Sequence, residues 1–170
     1  HRTKNKIKEN ASISRAYIID ELETNRQNLI NIVQYHEKIK KGFDSLKSQI
    51  TEEITFSTYF SNNKFRQEHI PGWNGLGIVK IEDVAFESAK IGGIFQSMDI
   101  NDVKQISSAY RQLYNYREFG NIVTEKTFSM NAQTIVMDVV GILDILTSDF
   151  LNNEKHLVNE LDQTIKILKE

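Results

Sequence analysis

Cysteine is absent from this 170-residue chain, which excludes disulfides and thiolate metal sites but leaves the compartment open. Proline occurs once and glycine eight times, and punctuation this sparse favours long helices over many short strands. Long hydrophobic runs are missing. The most apolar stretch, residues 135–146, is too short to span a bilayer and carries Asp138 and Asp144. A surplus of one charge is missing as well. The formal net charge is −2, without the basic excess of a general nucleic-acid binder, so no nucleic-acid partner is expected. There are no internal repeats or low-complexity tracts. What is present is an ordinary balance of 39% hydrophobic and 26% charged residues, in a length that suits one domain with a substantial core.

The strongest pattern is a heptad ladder in the first third. Ile18, Leu22, Asn25, Leu29, Ile32, His36, Ile39, Phe43, Leu46 and Ile50 alternate four- and three-residue steps without a slip. Such spacing keeps one stripe of a helix facing a partner along its whole length. From rung 18 to rung 50 the helix would run roughly 48 Å. Two rungs, Asn25 and His36, are polar. An asparagine in a seam commonly fixes helix register at some cost in stability, because an unpaired buried amide is expensive. A seam histidine is first a satisfied core residue, with one ring nitrogen donating to a carbonyl or carboxylate; a pH-sensing role is the alternative.

The pattern predicts an all-α fold: an antiparallel four-helix bundle with two long helices, about 12–50 and 131–169, and two shorter ones. The first helix should start near Ser12 or Ser14, with Lys38, Lys40, Lys41 and Lys47 suiting its negative end. The second fits 80–97, with Ile81, Val84, Ala85, Ala89, Gly92 and Phe95 on one side. The third carries Val103, Ile106, Tyr110, Leu113 and Arg117, capped by Asp99 or Asn101, with Gly120 a point of kinking or ending. The fourth repeats Val136, Val139, Leu143, Leu146, Phe150, Asn153 and Leu157, then Leu161, Ile165 and Leu168 with a small phase shift. Residues 51–78 lose the helical period and hold turn signals at Asn62–Asn63 and across 71–77. An irregular excursion this long is often functional, and it is the first place to expect a binding surface. In domain terms, residues 1–11 form a basic segment and 12–170 a single helical bundle.

Residues that carry chemistry are scattered. No glutamate has a histidine three positions later, as bundle di-iron sites require, and His1, His36, His69 and His156 are isolated. No metal or other cofactor is expected. Serine lacks a nucleophile elbow and there is no phosphate-binding glycine loop, so no catalytic residue is assigned and the chain reads as a non-enzyme. Gly92–Gly93 suits close helix contact instead. The candidate ligand-binding residues are Asn25, His36, Glu87, Tyr110, Tyr114 and Arg117. Tyr110, Tyr114 and Arg117 share one face of the third helix and can line an anionic-ligand pocket opposite Asn25 or His36. Alternatively Arg117 pairs with Glu87 and the tyrosines cap the core. Glu21, Asn25, His36, Glu87 and Tyr110 are also able to meet as one interior hydrogen-bond network that specifies register.

The opening residues, with Arg2, Lys4, Lys6 and Lys8 against Glu9, read equally as a solvated helix start or as the flank of a transmembrane helix. Three stretches bear on that choice. Glu21 and Asn25 followed by Tyr35–His36, the run Val84-Ala-Phe-Glu-Ser-Ala-Lys-Ile-Gly-Gly93, and Met98–Asp99 followed by Ser108-Ala-Tyr110 resemble segments of a loose group of uncharacterised bacterial membrane-anchored proteins. In that group one N-terminal transmembrane helix and a basic stretch precede a helical soluble domain. Phe86 stands where the group usually has tryptophan. The resemblance covers roughly residues 2–118 and carries no activity. It implies a membrane anchor in a segment outside this chain, on an undetermined side. The expectation is a helical domain acting as a sensor, scaffold or partner-binding module, with a protein partner or self-association. The alternative is a small-ligand sensor with an internal polar-aromatic pocket.

Overall fold

The computed structural model describes residues 2–62 and 65–170, without the side chains of residues 2–4. The Asn62–Asn63 turn therefore lies partly outside the described residues, as do the side chains of Arg2 and Lys4. The fold is all-α. Among the described residues there is no strand, only an isolated antiparallel bridge between Thr58 and Ile135.

Helix α1 spans Arg2–Lys47, 46 residues and roughly 69 Å at 1.5 Å per residue. It does not start at Ser12 or Ser14: nothing in residues 2–17 breaks a helix, and both serines lie inside it. Its end falls before Ile50, because Thr51 caps the one-turn helix α2, Glu52–Thr55, by accepting from the Ile54 amide. All ten rungs of the ladder face inward. Ile18, Leu22, Asn25, Leu29, His36, Ile39 and Phe43 are buried, and Ile32, Leu46 and Ile50 are half-buried.

The second helix expected at 80–97 is shorter, with only Val84–Ile91 α-helical. Residues 74–83 form an extended strap, followed by the short helix α3, Val84–Ile91, and a 3₁₀ turn, Ile94–Ser97. Helix α4, Ile100–Phe128, then runs unbroken through Gly120. A Cβ on Gly120 would lie 2.6 Å from Ile78 Cγ2, so this glycine admits the strap against α4 rather than kinking it. Helix α5, Val136–Ile145, continues through one turn of π-helix, Leu146–Phe150, into α6, Leu151–Lys169.

Side-chain pairs fix the directions. Glu23 meets Lys169, Arg26 meets Asp162, Glu37 meets Lys155 at 2.8 Å, and Lys47 meets Asp144 at 2.7 Å, so α6 and α5 run antiparallel to α1. Arg15 meets Asp102 at 2.7 Å and Glu21 meets Tyr110, so α4 runs parallel to α1. The strap and α3 are the descending leg that makes this possible.

Two apolar clusters result. The larger joins α1, α3, α4, the π turn and α6 around Leu22, Tyr110, Leu113, Phe150 and Leu161. The smaller joins the far end of α1 to α5 through Ile39, Phe43, Val136 and Leu143. The excursion belongs to this second cluster, with Tyr59, Phe65 and Ile70 buried in it. Phe56 and Phe60 remain exposed. Tyr59 and Phe65 are therefore core, and Trp73 is partly buried against both clusters.

Candidate functional site

The polar rungs of α1 converge on a single target, the backbone of the strap. Read along the strap, the Asn74 amide donates to the Tyr35 hydroxyl, which donates to the Gly75 carbonyl, both at 2.7 Å. His36 Nε2 donates to the Leu76 carbonyl at 2.7 Å. Asn25 closes a two-bond ring with the backbone of one residue, donating to the Glu82 carbonyl at 2.7 Å and accepting from the Glu82 amide at 2.9 Å. Glu21 accepts from the Ala85 and Phe86 amides at 2.7 and 3.2 Å. Strap numbers rise as α1 numbers fall, so the strap lies antiparallel to the helix. Its helical continuation at 80–83 is prevented where Asn25 takes both polar groups of Glu82.

Glu21 also serves α3. The Asp83 side chain makes no capping bond, and the first amides of a helix need an acceptor and favour negative charge. The Glu21 carboxylate supplies both from a neighbouring helix, and it also accepts from the Tyr110 hydroxyl. The Tyr110 ring stacks on Phe86, with centroids 4.1 Å apart and planes 7° apart. Burial and then Glu21 hold the Tyr110 phenol far above its ordinary range.

Further along α1 lies a second polar cluster, wholly inside the protein. His36 Nδ1 is 2.8 Å from Glu154 Oε2 on α6, and neither side chain touches solvent. Glu154 Oε1 accepts from the Tyr116 hydroxyl of α4 at 3.2 Å, and the Tyr116 oxygen accepts from the Val79 amide at 3.1 Å. Burial pushes the Glu154 carboxyl above the usual carboxylate range, although His36 and Tyr116 pull the other way. The Tyr116 phenol is pushed up by the same burial and by the nearby carboxylate. The Phe150 ring packs on both His36 and Tyr116, 6.0 and 5.0 Å between centroids.

The expected single network is thus two clusters. Asn25 and His36 are 0% exposed and face the strap, not Tyr114 or Arg117. Glu87 lies outside both clusters, accepting from the Tyr114 hydroxyl at 2.8 Å with Lys90 3.5 Å away. Burial, with Glu87 and Asp83, raises the Tyr114 phenol. Arg117 pairs with Asp83 at 3.6 Å, rather than with Glu87, and lies 4.5 Å over the Tyr114 ring. Tyr110, Tyr114 and Phe86 pack ring against ring, filling the space in which an internal pocket was expected.

Glu154 and Tyr116 are functional candidates that the pattern did not select. Tyr116 is visible only as one of several aromatics in α4. Glu154 is masked by register: an unbroken helix would put Asn153 in the seam, but the π turn inserts one residue, leaving Asn153 exposed and Glu154 buried. Among the described residues, no group of three or more His, Asp or Glu side chains has metal-binding spacing. Open hollows lie elsewhere. One of about 440 Å³ is walled by Tyr17 and Val84 over Ala85 and Ala89, between α1 and α3. Another of about 560 Å³ lies between the end of α4 and α5, lined by Met130, Met137 and Ile142.

No family model, curated protein or solved structure matches this chain.

Proposed function

We propose that this chain is a non-enzymatic helical domain displayed from a membrane, working as a sensor, scaffold or partner-binding module. We further infer that its course is that of an antiparallel four-helix bundle in which the strap and α3 stand in for the second helix. One observation carries the membrane reading. Residues 5–10 of α1 are exposed on every side, Lys6 and Lys8 among them, before the helix beds into the domain at Ala11. A helix that leaves the body as a bare basic rod has the form of a juxtamembrane stalk. The partner-binding reading is supported by the hollow between α1 and α3, whose walls Tyr17 and Val84 are 63% and 70% exposed. Exposed apolar side chains beside a concave surface are a common feature of protein contacts.

The deciding experiment is fractionation of the protein expressed from its natural gene, with whatever sequence precedes His1. The expected result is pelleting with membranes and resistance to alkaline extraction. Recovery in the supernatant would overturn the membrane reading. For the partner surface, Tyr17→Ala combined with Val84→Asp should abolish a specific crosslinked species while leaving the helical circular dichroism unchanged.

A further inference from the structure

The His36–Glu154 pair has a restricted proton inventory. The Leu76 carbonyl can only accept, so His36 Nε2 must carry a hydrogen. The Val79 amide can only donate, so the Tyr116 hydroxyl points its hydrogen at Glu154 Oε1. A single proton then fits the 2.8 Å gap between His36 Nδ1 and Glu154 Oε2, whichever atom it rides on. With that proton, every bond in the chain from Leu76 to Val79 is satisfied.

Change the count and a buried bond must fail. With the proton removed, either His36 Nδ1 turns a lone pair toward an ionised carboxylate, or Nε2 turns one toward the Leu76 carbonyl. With a proton added, the carboxyl hydrogen points at the Tyr116 oxygen and the Tyr116 hydroxyl loses its acceptor. Either state leaves a buried polar group without a partner, which is costly. The groups facing the pair do not relieve this. Tyr116 comes from α4, Tyr35 lies beside His36 on α1, and the π turn contributes the apolar ring of Phe150. The nearest charges along α1 and α6, Glu37 and Lys155, pair with each other at the surface.

We propose that His36 and Glu154 form a one-proton latch that holds the strap at Leu76–Val79 onto α1, α4 and α6, and that gain or loss of this proton frees the strap while the helices stay packed. The strap is the weak partner because Leu76, Ile78 and Val79 are only partly buried against the apolar cluster that the helices share around Leu22, Leu113 and Leu161. The raised Glu154 carboxyl sets the sign of the alkaline side. Its stabilisation is complete below the unfolded carboxylate value and is lost as pH rises through the higher folded value. The inference does not depend on the membrane reading.

Native-state amide hydrogen exchange tests it, with protection corrected for the intrinsic rate at each pH. The Val79 amide reports the latch, and the Glu82 amide, held by the non-titrating Asn25, is the internal reference. The Val79-to-Glu82 protection ratio should be flat over a plateau and fall about tenfold per pH unit beyond each edge, the slope of one linked proton. In Glu154→Gln the side-chain amide donates to His36 Nδ1 and its oxygen accepts from Tyr116, so the alkaline fall should vanish while the acid fall remains. A ratio that stays flat wherever the wild-type protein is folded would overturn the proposal, as would an unchanged alkaline fall in the variant. If Glu154→Gln does not fold, the wild-type ratio alone decides.

Discussion

The strap at 74–83 and the part of the excursion that precedes it, 51–73, are neighbouring stretches that depart from long helix, yet different balances of forces hold them. The excursion is held by apolar burial: Tyr59, Phe65 and Ile70 enter a cluster with Ile39, Phe43 and Leu143. The strap buries Ile81 and packs Leu76, Ile78 and Val79 against the larger cluster, and in addition α1 side chains hydrogen-bond its backbone, at Tyr35, His36 and Asn25. Apolar burial is non-directional and indifferent to pH. Hydrogen bonds to named backbone atoms specify position and are costly to leave half-made. The excursion is therefore anchored tightly without a unique donor pattern, and the strap is placed residue by residue. Trp73 sits partly buried at the junction of the two clusters, where its fluorescence can report on both.

Breaking each side of this contrast should give effects of graded size. Phe43→Ala removes the α1 side chain buried among the excursion's apolar residues and should cost about 3–5 kcal/mol in urea unfolding. The loss should be similar at acid and neutral pH. A strongly pH-dependent loss would contradict the apolar account of the excursion. His36→Ala leaves the Glu154 Oε2 atom and the Leu76 carbonyl buried without their partner and should cost about 3 kcal/mol. Here His36→Leu with Glu154→Leu should recover part of the loss, since apolar replacement of both partners is tolerated better than removal of one. If the double variant is as unstable as the single, the cost lies in cavity formation and not in the polar pair.

Asn25→Ala should cost about 2 kcal/mol, with Glu82 losing amide protection well before α1 or α6 does. Protection lost evenly across the protein would show that the strap is not a separate unit. Lys47→Ala removes an ion pair with Asp144 whose partners are both nearly half exposed, and should change stability by less than about 1 kcal/mol. The spectroscopic counterpart concerns the phenols. Tyr110, Tyr114 and Tyr116 are held protonated beyond the ordinary tyrosine range, so alkaline titration followed at 295 nm should show a late phenolate step for these three.

Much of the helical scaffold was legible because periodicity records burial directly. Every rung from Ile18 to Ile50 faces inward, and Val136, Val139, Leu143 and Phe150 are buried as their spacing implies. Two things escaped. The end of the strap carries Ile81 in phase with Val84 and Ala85 of α3, and nothing local shows that Asn25, 57 residues away, takes up both backbone polar groups of Glu82. The seam after Phe150 shifts by one residue at a π turn, so Glu154 replaces Asn153 inside. The small phase shift at Leu161 records that the register changes, but three- and four-residue steps alike fit the seam, so the spacing does not show that the change enters at the π turn.

The sequence by itself determined an all-α fold, one long seam on α1, and the presence of two polar positions in that seam. These follow from spacing, which a helix converts into a face whatever surrounds it. Tertiary structure alone decided what the polar positions do. Asn25 and His36 are satisfied by a strap and a carboxylate distant in sequence. The partner of a buried polar group is chosen by which backbone atom arrives within about 3 Å, and only the packed chain sets that distance.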